Sequence, residues 1–132
     1  MRSRWALWLL LALPAAGLWA REPVDPAAQA FQAHRSHVTM VVEAQVVRTL
    51  PDDREGSRHQ RFLIRTQAGV TLLVAHNIDL APRIPGLLPG EPLTLRGEYL
   101  WNPKGGLLHW THQDPSGRHA GGYILRGSHR YD

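Results

Sequence analysis

From Val38 to Thr49 the chain alternates, with Val38, Met40, Val42, Ala44 and Val46 on one parity and Thr39, Glu43 and Gln45 on the other. Successive side chains of a strand point to opposite faces, so this run predicts a long first strand with one buried face. Leu50 to Arg58 (LPDDREGSR) is polar and charged and reads as a loop. Phe62 and Ile64 then alternate with Arg61 and Arg65 in a second strand, and Ala68–Gly69 closes a hairpin into a third, with Val70, Leu72 and Val74 inward and its end near His76. Ile78, Leu80 and Ile84 are spaced like one or two helical turns, so a short helix or 3₁₀ connection is expected between strands three and four. Leu93, Leu95, Gly97, Tyr99 and Trp101 share one parity of a fourth strand, and the turn residues of Asn102 to Gly106 lead into a fifth at Leu107 to Thr111. A DPSG turn at Asp114 to Gly117 precedes a short sixth strand at Tyr123 to Arg126.

Upstream, Asp25 before Pro26 is an N-cap followed by a proline at the first helical position, which predicts a helix over Pro26 to His34 within an N-terminal helical segment 21–37. Three strands, a short helix and two more strands, the first strand being long, are the order of a small closed Greek-key barrel of the OB-like kind. The expected fold class is therefore all-β: a five- to six-stranded OB-like barrel over 38–132 with an N-terminal helix. Gly97, in mid-strand, suits a tight bend of such a barrel.

Residues 1–20 carry a different pattern. Arg2 and Arg4 precede an apolar run, Trp5 to Leu13, which Pro14 breaks and Ala15, Ala16, Gly17, Leu18, Trp19 and Ala20 follow. That is the layout of a secretory signal peptide cleaved after Ala20 or, alternatively, after Gly17, and it is too short for a spanning helix, which needs about 20 apolar residues. The expectation is a periplasmic or secreted protein without stable membrane insertion once the signal is removed. The chain holds 132 residues and no cysteine, which leaves room for one domain and excludes disulfides, thiolate metal sites and a cysteine nucleophile. Removing the signal takes two arginines and no acid, so the net charge falls from +4 to +2. A small excess of this kind does not mark a dedicated nucleic-acid binder, whose footprint needs clustered basic residues.

Three stretches carry a family likeness: EYLWNPKGGLLHWTHQDPSGRHAGGY from Glu98 to Tyr123, LPDDREGSRHQRF from Leu50 to Phe62, and HNIDLAPRIP from His76 to Pro85. With its HWTHxDPxGRH signature at His109 to His119, the chain resembles an uncharacterised bacterial family of short exported proteins, filed as a domain of unknown function. The resemblance implies export and no particular activity.

Polar residues gather in the loop after the first strand, at the end of the third, and in the fifth strand with its exit. The expected ligand-binding set is Arg58, His59, Gln60, Arg61, His76, Asn77, Glu98, Trp101, Lys104, His109, His112, Asp114 and His119. In an OB-like barrel the loops joining strands one to two and four to five flank the ligand face, which would bring these residues together around a polar or anionic ligand, an oligonucleotide or an envelope saccharide. Arg61, Trp101 and Lys104 would supply a guanidinium, a stacking indole and a rim ammonium. A mixed metal set of His59, His76 and His119 with Asp114 is the sharper alternative, although no ligand motif such as HExxH supports it and no metal is assigned. A metal-dependent phosphodiester hydrolase would draw on Asp52, Asp53, Glu98, Arg61 and Arg96. A third reading is a non-catalytic structural envelope protein. The sequence identifies no particular cofactor.

Overall fold

The computed structural model describes residues 24–132, and the signal segment expected over 1–20 lies outside them. One short helix, α1 (Pro26–Gln32), precedes seven strands: β1 (Val38–Asp53), β2 (His59–Thr66), β3 (Thr71–Asn77), β4 (Pro92–Leu100), β5 (Leu107–His109), β6 (Tyr123–Arg126) and β7 (His129–Tyr131). They form one mixed sheet in the order β1-β2-β3-β5-β4-β6-β7, and a further pairing of β1 with β4 closes five of them into a ring. All the ladders are antiparallel except β3 with β5, which is parallel through Leu73–Leu107 and Val74–Leu108.

Strand parity sets the core. Met40, Val42, Ala44 and Val46 of β1 meet Phe62 and Ile64 of β2, Leu72 and Val74 of β3, Leu93, Leu95 and Tyr99 of β4, Leu108 of β5 and Ile124 of β6. Tyr99 is fully buried, and its hydroxyl donates to the Gly105 carbonyl at 2.8 Å. Gly106, at φ 117°, lies so close to the Tyr99 ring that a Cβ there would overlap it. Gly97 meets a similar demand in mid-strand: a Cβ would strike the His109 carbonyl, so its absence lets β5 approach β4.

Several expectations are corrected. The first strand does not stop at Thr49; it runs to Asp53 with register shifts after Val46 and Leu50, so the connecting loop shrinks to residues 54–58. No helix lies between β3 and β4. Residues 78–91 are turns instead, because Pro82, Pro85 and Pro89 with Gly86 and Gly90 interrupt any helical ladder, and the segment sends Ala81, Ile84 and Leu87 into buried positions. The fifth strand ends at His109 rather than Thr111, and the short strand β7, which completes a hairpin with β6, is an addition to the six expected. Trp101 leaves the inward parity of β4, falling just beyond its end.

α1 is capped by the Asp25 carboxylate, which accepts from the Ala28 amide at 3.1 Å and from the Ala68 amide at 3.0 Å. Burial pushes this carboxyl up, but hydrogen bonds from Thr66, Ala28 and Ala68 outweigh it and hold the pKa below the usual value. Ala27 and Ala30 are buried in the core, so α1 packs at the ring end where β2 turns into β3. The proline-rich segment 78–91 adds Ile84 and Leu87 to the same core.

Candidate functional site

The register of the ring brings together residues far apart in sequence. His59 opens β2 and pairs with Asn77 at the end of β3 on one side and with Asp53 on the other. His109 closes β5 opposite Glu98 of β4. After it, Trp110 takes φ 57°, a left-handed conformation that few non-glycine residues adopt, and turns the chain off the sheet. His112 then returns toward the sheet, its carbonyl held by the Gly122 amide at 2.8 Å. The result is a pocket of about 180 Å³ lined by His59, Ala75, Asn77, Leu80, His109, Trp110, His112 and Asp114.

Hydrogen bonding assigns the imidazoles different jobs. His109 donates through Nε2 to the Glu98 carboxylate at 2.9 Å, which leaves Nδ1 for another partner. His112 donates through Nδ1 to the Gln113 carbonyl at 2.7 Å, leaving Nε2. His59 keeps a buried Nδ1 without a hydrogen-bond partner, 3.9 Å from the nearest Asp53 carboxylate oxygen. A buried polar atom of this kind costs stability unless something satisfies it, so it is the least structural feature of the pocket. Glu98 sits behind the wall: burial raises its pKa, but bonds to His109 and, at 3.5 Å, His37 lower it further, and the carboxyl ends below its usual value.

His76 is not a ligand-facing group. It is fully buried; Nε2–H donates to the Pro82 carbonyl at 2.9 Å and Nδ1 accepts from the Thr111 hydroxyl at 2.7 Å, so neither nitrogen is free. Burial pushes its pKa down to about 4. Gln60 is likewise internal and clamps Ile84 in two hydrogen bonds, 2.8 Å to its carbonyl and 2.9 Å from its amide. Both residues anchor segment 78–91 to the ring.

Of the other expected site residues, Asp114 lines the pocket but its carboxylate accepts from the Ser116 hydroxyl and from the Ser116, Arg118 and His119 amides, which lower its pKa to about 2. Its work is to fold the 114–119 turn. His119 packs edge-on against Trp110. Arg58 pairs with Asp79 at 2.8 Å, and Arg61 donates to the Pro51 carbonyl at 2.9 Å. Trp101 donates to the Phe31 carbonyl at 3.0 Å and stacks on His34, so its indole docks α1. Lys104 lies exposed in the β4–β5 turn. The triad of Arg61, Trp101 and Lys104 is thus not assembled on the pocket.

The expected metal set fares similarly, because both His76 nitrogens are engaged. Among the described residues, no three His, Asp or Glu side chains are grouped to hold a metal ion. The hydrolase carboxylates are engaged as well, Asp52 by Arg83, Glu98 by His109 and Asp53 by the Glu55 amide at 2.9 Å. Ala75, Leu80 and Trp110 line the pocket without belonging to the expected set. Trp110 stands between two histidines that do belong to it, whereas the backbone reversal that turns its ring to the pocket has no local signature.

The chain is thus a mostly β protein, a five-stranded ring in a seven-stranded mixed sheet with one histidine-rich pocket at an end of the ladder. The family model of a protein of unknown function, DUF3465, matches residues 7–132, and the chain belongs to that family. No curated protein and no solved structure matches it. No helix among the described residues is long and apolar enough to cross a membrane.

Proposed function

We propose that the protein is an exported binding module with an OB-like barrel that holds a hydroxyl-rich ligand, an envelope saccharide, in the pocket between His59 and Trp110. The ring order β1-β2-β3-β5-β4, with β4 returning to β1, supports the barrel reading, since an OB-fold is a five-stranded Greek-key barrel whose second and third strands carry the ligand face. The observation that carries the ligand class is the pocket lining. It holds three imidazoles and one amide but no lysine or arginine, and its single carboxylate is saturated. Imidazole nitrogens and an amide offer both donors and acceptors, which suits hydroxyl groups; a phosphodiester would require a fixed cation there. Sugar binding is therefore favoured over the oligonucleotide alternative.

The test is an amide chemical-shift titration of ¹⁵N-labelled protein with a soluble N-acetylglucosamine oligomer and, separately, with a thymidine oligonucleotide. Saturable shifts at His59, Asn77, His109 and His112 with the sugar, lost in His59→Ala, are expected. Shifts produced by the oligonucleotide alone would overturn the ligand class. No response to either probe would overturn the binding reading and leave the structural one.

A further inference from the structure

Outside the pocket, the cross-strand register assembles a second feature on the outer surface of the ring. Leu63 pairs with Leu73, Leu73 with Leu107, and Leu107 with Leu100, so four half-buried leucines from β2, β3, β5 and β4 form one row. At about 4.8 Å between neighbouring strands the row spans roughly 14 Å. All four have the parity opposite to the core residues Phe62, Leu72, Leu108 and Tyr99, and therefore face outward. An outward position is normally polar on a sheet with one solvated face, so four consecutive leucines depart from that pattern.

Cations border the row. On β2, Leu63 lies between Arg61 and Arg65; on β1, Arg48 is its direct partner, and Leu50 stands beside Arg61. Lys104 is in the exposed turn that joins Leu100 to Leu107. Among the described residues, neither Arg48, Arg65 nor Lys104 has a carboxylate within ion-pair distance, and Arg61 bonds only a backbone carbonyl through Nε. By contrast, Arg58, Arg83, Arg126 and Arg130 are all paired with acids. The carboxylates at the margin are Glu98, held by His109 and His37, Glu43, which shares a cavity with Arg65, and Asp53, which pairs with His59 and accepts from the Glu55 amide.

We propose that this face docks the protein on the surface of an anionic phospholipid bilayer, with the arginines at the phosphates and the leucine row against the interfacial region. Charge complementarity selects the occupant, since unpaired cations around an aliphatic centre match an anionic headgroup layer over hydrocarbon. The same charges would attract single-stranded nucleic acid, but binders of that class stack bases on aromatic side chains, and the centre of this face has none. Docking here leaves the His59 pocket at one edge of the contact, so it stands independently of what the pocket holds.

Co-sedimentation of the full chain with large unilamellar vesicles tests it, comparing phosphatidylglycerol–phosphatidylcholine mixtures with pure phosphatidylcholine. Residues 1–20, Arg2 and Arg4 included, contribute alike to every variant, so the readout is the change, from wild type to variant, in the ratio of partitioning between the two lipid compositions. Arg48→Gln and Arg65→Gln should each lower that ratio roughly fivefold, and raised salt should lower it further. Leu63→Ser should weaken binding to the anionic vesicles while a thermal melt shows that it remains folded. Arg130→Gln, a change on β7, which pairs with β6 and takes no part in the row, should have little effect. An equal loss from Arg130→Gln, or no preference of the wild type for anionic vesicles, would overturn the proposal. So would an oligonucleotide that binds with the same arginine dependence and is not displaced by anionic vesicles.

Discussion

His76 shows how strongly one side chain can be committed to structure. Its imidazole is fully enclosed, and it bridges the Pro82 carbonyl and the Thr111 hydroxyl, two segments that nothing in sequence brings together. Burial disfavours the charged form, so the native pKa falls to about 4 from an ordinary value of 6.5. The sign of the stability effect follows. The unfolded chain takes up a proton near pH 6.5 and the native protein does not until about pH 4, so stability is fully present above 6.5 and is lost as the pH falls through that window. A shift of this size corresponds to roughly 3 kcal/mol between neutral pH and pH 4. Urea unfolding at a series of pH values should show that slope, and His76→Gln should flatten it while lowering stability at pH 7. A slope unchanged in the variant would show that other groups carry it.

At the scale of elements, α1 is too short to be stable alone, since isolated helices below about 12–15 residues are marginal in water. Its seven residues persist through their attachments: the Asp25 cap and its bond to Ala68, the burial of Ala27 and Ala30, and the Trp101 bond to the Phe31 carbonyl. Asp25→Ala removes the cap and the cross-link to the β2–β3 turn together, and should cost about 1–2 kcal/mol. Hydrogen exchange should then show the amides of residues 26–32 losing protection, with β1 to β3 little changed. Uniform loss across the sheet would mean instead that α1 and the ring unfold as one unit. The β6–β7 hairpin is tied in a comparable way. Arg126 pairs with Glu91 and donates to the Pro85 and Gly86 carbonyls, which fixes the hairpin to the turn-rich segment and draws the Glu91 carboxyl down to about 2.

Across the whole molecule, two surfaces of different chemistry share the ring: a small pocket of imidazoles and an aliphatic row rimmed by cations. Both would be of use to an exported protein at the cell envelope, and export rests on residues 1–20. Arg2 and Arg4, the apolar run and the small residues before Arg21 lead to a definite expectation: the mature protein begins near Arg21 and is recovered outside the cytoplasm. Intact-mass measurement of protein from fractionated cells checks it, and a cytoplasmic species retaining Met1 to Ala20 would contradict it.

Strand faces are legible in the sequence because a period of two is written locally. The same parity that marks Phe62 and Ile64 as inward also sends Gln60 inward, and that of Leu72 and Val74 sends His76 with them. Applied to the polar residues, parity alone separates the structural Gln60 and His76 from the outward His59 and Asn77. The Asp25–Pro26 helix start is readable for the same reason, since a cap acts on amides two or three residues away. Only the tertiary structure decided the rest. That β5 lies parallel to β3, that 78–91 forms turns clamped by Gln60, that Trp101 serves α1, and that Trp110 turns onto the pocket all depend on contacts between distant segments. Such contacts are selected by the free energy of the assembled core, and no local pattern of residues encodes them.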